Sequence, residues 1–125
     1  MGGLEASTRI VNGSGLFDAN RASAGSIARA LSAAYRDPAI SSEFVAQLAI
    51  SGVDGTLRSR FRSQRTARSV RAKTGTLAKS LALSGYVLAP ARPPLAFAIL
   101  VNGVGASDQA ELRQRVDKLV DSAAR

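Results

Sequence analysis

The sequence predicts an α+β fold with about three antiparallel strands packed with helices, one of them C-terminal. Three observations carry this. Residues 69–75 and 81–87 alternate between the two sides of a ribbon, the two-residue period of a strand. Leu95–Val101 is a nearly continuous apolar run, as in a strand buried on both faces. Leu112, Val116, Leu119, Val120 and Ala123 form one apolar stripe at helical spacing. Consecutive strands with short links favour an antiparallel sheet with helices laid on it.

Taken in order, Thr8-Arg9-Ile10-Val11 reads as a short strand, and Asn12-Gly13-Ser14-Gly15 is a dense turn signal. Ser23 is placed to cap a helix carrying Ile27, Leu31, Ala34 and Tyr35 on one face. That helix should stop near Arg36, because Asp37 precedes a proline and is pushed out of helical geometry. Ser41 or Ser42 is positioned to cap a second, shorter helix with Phe44, Val45 and Leu48 on one face, before a turn at Gly52-Val53-Asp54-Gly55. Thr56–Ser69 is arginine-rich and weakly periodic, an ordered loop with room for one helical turn. After the first two strands, the prolines of Ala89–Pro94 exclude a sheet interior. Asp108 with Glu111 three residues on marks the start of the last helix, whose stripe reads as core.

The chain is 125 residues long, enough for one domain at most. It has neither cysteine nor histidine. Disulfides, thiolate metal sites and a self-contained Ser-His-Asp triad are therefore ruled out, and no metal or cofactor is implied. No apolar run is long enough to predict a spanning helix. Met1-Gly2-Gly3-Leu4-Glu5 lacks the basic and apolar regions of a signal peptide. Net charge is +8, and no Asp or Glu occurs between Gly55 and Ser107, a span holding nine Lys and Arg. Such a field attracts anions, unless it is simply a solvated loop. A small basic module for nucleic acid or another polyanion is the rival reading. Against nucleic acid, Phe61 alone among the seven basic residues from Arg58 to Lys73 offers a ring for base stacking.

The strongest chemical signal is Lys73-Thr74-Gly75, followed by Thr76, at the end of the first predicted long strand. An ammonium group supplies charge for a substrate carboxylate, and two hydroxyls can donate hydrogen bonds to it. A glycine lets a substrate backbone lie close to the strand. K-T-G is one of the signatures of β-lactamases and penicillin-binding proteins.

Four ordered segments then resemble the penicillin-binding-protein-4-type serine D-alanyl-D-alanine carboxypeptidases over about residues 10–120. Asn12-Gly13-Ser14-Gly15-Leu16 through Asn20 resembles their D-G-S-G-L-S-x-x-N stretch. Val53-Asp54-Gly55-Thr56-Leu57 with Arg60-Phe61 resembles G-x-D-G-T-L-x-x-R-F, Ala72–Leu77 resembles A-K-T-G-T-L, and Ser84-Gly85-Tyr86-Val87 resembles the L-S-G-Y strand. The resemblance implies a serine peptidase of the periplasm or cell envelope that removes the terminal D-alanine of peptidoglycan stem peptides or cuts D,D-cross-links, and that binds β-lactams. It implies Lys73 as the catalytic lysine of the third family motif. Thr74, Gly75 and Thr76 would be substrate-binding, with the Thr76 amide as one oxyanion donor. Ser14 and Asn20 are candidate cleft-lining residues, although a serine in such a turn commonly bonds its own backbone.

The chain departs from the family in that it carries no S-x-x-K motif in the right context and no convincing S-x-N. Phe17 stands where the family usually has Ser, and Asn12 where it has Asp. The expectation is a partial transpeptidase-like domain over 1–125, with the nucleophile on a missing N-terminal portion and no acyl-enzyme formed by this chain alone.

Overall fold

The computed structural model describes residues 4–16, 19–62 and 65–124. The elements are α1 (Ala24–Arg36), α2 (Ser41–Ala46), β1 (Ala49–Ile50), a 3-10 turn (Gly55–Leu57), β2 (Val70–Leu77), β3 (Ser80–Val87), β4 (Leu95–Asn102) and α3 (Gln109–Ala123). The sheet is antiparallel in the order β1-β2-β3-β4, so it has four strands rather than three. β1 is two residues long and is a strand only because it pairs with Ala72 and Arg71 of β2. The strand expected at Thr8–Val11 reduces to a single bridge between Arg9 and Arg21.

The register gives each sheet face its job. Val70 and Ala72 of β2 and Leu81, Leu83 and Val87 of β3 point to one face, with Phe97, Ile99 and Val101 of β4. There they pack against Leu57, Phe61 and Val104 and against Val116 and Val120 of α3. Full burial of one such aliphatic side chain stabilises the fold by about 1.5–3 kcal/mol. The opposite face carries Tyr86, which lies under α1. Its hydroxyl donates to the Leu31 carbonyl (2.7 Å), and its ring centre is 5.3 Å from that of Tyr35. Gly85 makes the closest strand approach: a Cβ there would lie 2.6 Å from Ala72 Cα and 2.1 Å from the Arg71 carbonyl oxygen.

α1 starts and stops where the sequence indicates. Ser23 Oγ accepts the Ser26 N–H (3.0 Å), and the helix ends at Arg36 before Asp37-Pro38. α2 has no side-chain cap: Ile40 occupies the cap position, Ser41 and Ser42 lie inside, and the helix stops at Ala46. Asp108 occupies the cap position of α3 but accepts the Ser107 hydroxyl instead of a helix amide. Leu119 leaves the core stripe and is 56% exposed, whereas Asp117 and Asp121 of the same helix are buried.

These two aspartates hold the arginine-rich loop. Arg60 makes a double contact with the Asp117 carboxylate, through Nε (3.2 Å to each oxygen) and Nη2 (2.5 Å). One helical turn later, Asp121 Oδ1 accepts both the Thr66 N–H (3.2 Å) and its hydroxyl (2.9 Å). Ser51, fully buried, donates its hydroxyl to the Thr66 carbonyl and accepts the Val70 N–H. The loop is thereby welded to both α3 and the start of β2.

Candidate substrate-binding edge

β1 covers only the first part of β2. Ser51 still pairs with Val70, whose N–H goes to Ser51 Oγ (3.1 Å) and whose carbonyl takes the Ser51 N–H (3.0 Å). Antiparallel alternation repeats that outward direction at Ala72, Thr74 and Thr76. Ala72 faces β1, while Thr74 and Thr76 lie beyond the β1 pairing and turn their backbone groups to an edge that no strand covers among the described residues. Into this edge folds Lys73, its ammonium donating to the Thr74 carbonyl (2.7 Å).

A cavity of about 620 Å3 wraps this edge, within the range typical of small-ligand sites. Lys73, Thr74, Gly75, Thr76, Ser14 and Asn20 all line it, so the fold brings every residue singled out from the sequence to one place. The strand pleat nevertheless separates their side chains. Lys73 and Gly75 belong to the face that carries Ala82 and Tyr86; Thr74 and Thr76 belong to the core face. The expectation of one ammonium and two hydroxyls aimed together into the groove is therefore modified. Thr74 Oγ1 donates to Thr56 Oγ1 (2.9 Å), and what Lys73 and the threonines share is the backbone edge between them. Thr56 was not singled out from the sequence; its place in the Gly55-Thr56-Leu57 turn, brought beside β2 by the loop, was the available signal.

The opposite wall is the turn at Asn12–Leu16. Asn20 organises it: Oδ1 accepts the N–H groups of Val11 (2.8 Å) and Asn12 (3.1 Å), and Nδ2 donates to the Asn12 carbonyl (2.9 Å). Asn12 Oδ1 accepts the Gly15 N–H (2.8 Å) and the Ser14 hydroxyl (3.2 Å). Gly15 takes φ +71°, a conformation that suits glycine. Ser14 and Asn20 thus shape the wall through bonds inside their own turn, while remaining on the cavity surface. Phe17 and Asp18 lie outside the described residues.

Burial, and then Tyr35, push the Tyr86 hydroxyl above the ordinary tyrosine range. The Arg29 hydrogen bond chiefly lowers Glu5, helped by Ser23. Among the described residues no three His, Cys, Asp or Glu gather in a metal-holding arrangement. No described helix is long and apolar enough to cross a membrane.

The whole is an antiparallel sheet with a half-covered K-T-G strand and helices on both faces, the α+β layout expected from the sequence. A family model described as the D-Ala-D-Ala carboxypeptidase 3 (S13) family matches residues 3–123, and the chain belongs to that family. Two solved structures share its fold. One is penicillin binding protein 4 (dacB) from Haemophilus influenzae, at 24% identity and a TM-score of 0.83, covering 96% of this chain and 28% of that one. The other is the same protein complexed with a novel β-lactam, also at 24% identity and 0.83, covering 95% and 29%. The chain therefore spans little more than a quarter of the length of these structures. A search of curated proteins found no match.

Proposed function

We propose that this chain supplies the substrate-binding strand of a serine-type D-Ala-D-Ala carboxypeptidase acting on peptidoglycan stem peptides. One observation carries the reading: β2 leaves its edge uncovered at Thr74–Thr76, with the Lys73 ammonium bonded to that edge and a peptide-sized cavity beside it. A stem peptide is an extended chain ending in a carboxylate. Laid antiparallel on β2, it gains hydrogen bonds from the strand's outward backbone groups, a strand-addition mode of recognition. Lys73 places positive charge beside the bound anion, and Gly75 keeps the approach clear. The outward Thr76 N–H serves as one of two donors to the tetrahedral oxyanion. A β-lactam, also an amide beside a carboxylate, fits the same edge.

In this reading residues 1–125 form part of a larger transpeptidase-like domain of the periplasm or cell envelope. The nucleophilic serine, its lysine partner and the S-x-N residues come from sequence outside the chain. In support, the chain contains no S-x-x-K motif in the right context, and the structures sharing its fold are more than three times as long.

A fluorescent penicillin tests this directly. The chain alone should gain no covalent label; a stoichiometric adduct would overturn the view that the nucleophile lies elsewhere. In a longer polypeptide that includes S-x-x-K and S-x-N residues, Lys73→Ala should abolish labelling. Labelling at the wild-type rate would remove Lys73 from the site.

A further inference from the structure

The arginine-rich loop has a geometry that its ion pair with α3 does not exhaust. Its two ends meet at Ser51–Gly52. The Gly52 N–H donates to the Leu57 carbonyl (2.9 Å), just before Arg58, and the Arg68 N–H donates to the Ser51 carbonyl (2.9 Å). Arg62 passes over the same turn, its Cγ 3.8 Å from where a Gly52 Cβ would stand. The chain at Arg58, Arg62 and Arg68 therefore comes to one turn. All three are exposed, and none has an acidic partner among the described residues.

The backbone on either side of this patch is held in place. Leu57, Phe61 and Thr66, which lie between and beside these arginines, are buried, and Arg60 and Thr66 are tied to Asp117 and Asp121. Arg68 holds φ +66°, a conformation that bulky residues keep only when their surroundings fix it. A pinned loop loses little further freedom when its guanidinium groups engage a ligand, so association costs less than for a floppy basic tail.

We infer that Arg58, Arg62 and Arg68 form a docking surface for carboxylate-bearing peptidoglycan strands beyond the stem peptide held at the Lys73 edge. Two observations choose this partner. The surface is continuous with that edge: Thr56, two residues before Arg58, is hydrogen-bonded to Thr74. The loop also provides its own example of the chemistry, since Arg60 already grips a carboxylate by two nitrogens. Nucleic acid is the poorer fit, because Phe61, the ring inside the loop, is buried and unavailable for stacking. The inference rests on the proposed peptidoglycan substrate, but addresses a surface separate from Lys73.

The test uses this chain and purified peptidoglycan sacculi stripped of accessory polymers, in a co-sedimentation assay. The combined variant Arg58→Gln, Arg62→Gln, Arg68→Gln should lose about tenfold or more in retention, the product of three modest exposed ion pairs. Its circular dichroism should match wild type, since all three side chains are exposed. Sacculi whose carboxylates are blocked as amides should lose the wild-type chain to the same degree. Retention of the triple variant at wild-type level, or undiminished binding to blocked sacculi, would overturn the inference. So would displacement from the sacculi by duplex DNA at matched charge concentration, which would mark the patch as a general polyanion surface. Failure of the proposed function is read separately, by penicillin labelling of the longer polypeptide. Arginine-dependent, carboxylate-dependent retention alongside failed labelling would uphold the surface and reject the enzyme.

Discussion

Replacing Gly85 by alanine should unseat the K-T-G strand β2 while leaving every residue on it intact. The added Cβ would stand 2.1 Å from the Arg71 carbonyl oxygen and 2.6 Å from Ala72 Cα. Both obstacles are backbone, so no rotamer change relieves them. Favourable carbon contacts lie near 3.5–4.0 Å, so β2 and β3 must separate by roughly 1 Å at this point. The flanking pairs Arg71↔Tyr86 and Lys73↔Ser84 are the hydrogen-bonded ones, because Ala72 turns its backbone the other way. A retreat of that size stretches an N···O distance of about 2.9 Å to nearly 4 Å, beyond useful bonding. Losing two such bonds at about 1 kcal/mol each, with about 1–3 kcal/mol of overpacking, gives a destabilisation of roughly 3–5 kcal/mol. In a domain of this size that lowers the melting temperature by about 10–20 °C. Thermal unfolding followed by circular dichroism measures it. Gly75→Ala is the internal control: its Cβ meets only Ala82 Cβ, at 3.2 Å, and a small side-chain adjustment accommodates it. A Gly85→Ala protein that melts with wild type, or no earlier than Gly75→Ala, would refute the register argument and the placement of the edge derived from it.

Two further perturbations probe the supports around the edge. Asp117→Asn removes the carboxylate that Arg60 grips at only 12–14% side-chain exposure, and should cost about 2 kcal/mol, reduced from the fully buried value by residual solvent. Trypsin should then cut the loop at Arg58–Arg68 sooner, and unchanged cleavage would detach the loop from α3. Tyr86 concerns alkaline stability. Its folded acidity is weakened by burial, so above pH about 10 the unfolded chain ionises first and folding stability falls as pH rises. Tyr86→Phe should cost about 1 kcal/mol near neutrality, through the lost bond to Leu31, and flatten this alkaline decline. A decline equally steep in the variant would assign it to other groups.

The long strands and α1 were legible because their signals are local. Alternation sets a strand, a serine begins the helix, and a residue before proline ends it. β1 was not legible: Ala49 and Ile50 have no strand pattern and acquire one only from the neighbour that β2 provides. Leu119 misled for a related reason. Helical spacing gives the angle of a side chain but not how fully its neighbours cover it, and Leu119 is left 56% exposed. The burial of Asp117 and Asp121 has no signal in the helix's own pattern. The missing clue lay elsewhere, in a loop with many arginines and no acid of its own, which must find carboxylates on another element. For the candidate site, the residues chosen by type do come together on one cavity. Type alone did not separate the faces of Lys73 and Thr74, although the two-residue period implies it.

The last helix therefore reaches the cavity-lining margin of the sheet by a second route, besides the bond from Gln109 Nε2 to the Leu77 carbonyl (3.4 Å). Force applied at Asp117 or Asp121 passes through Arg60 and Thr66 into a stiff bracket, and from Thr56 onto Thr74. Trimming the C-terminus back past Asp121 would slacken that bracket from behind. The K-T-G strand would lose alignment before the sheet lost its shape.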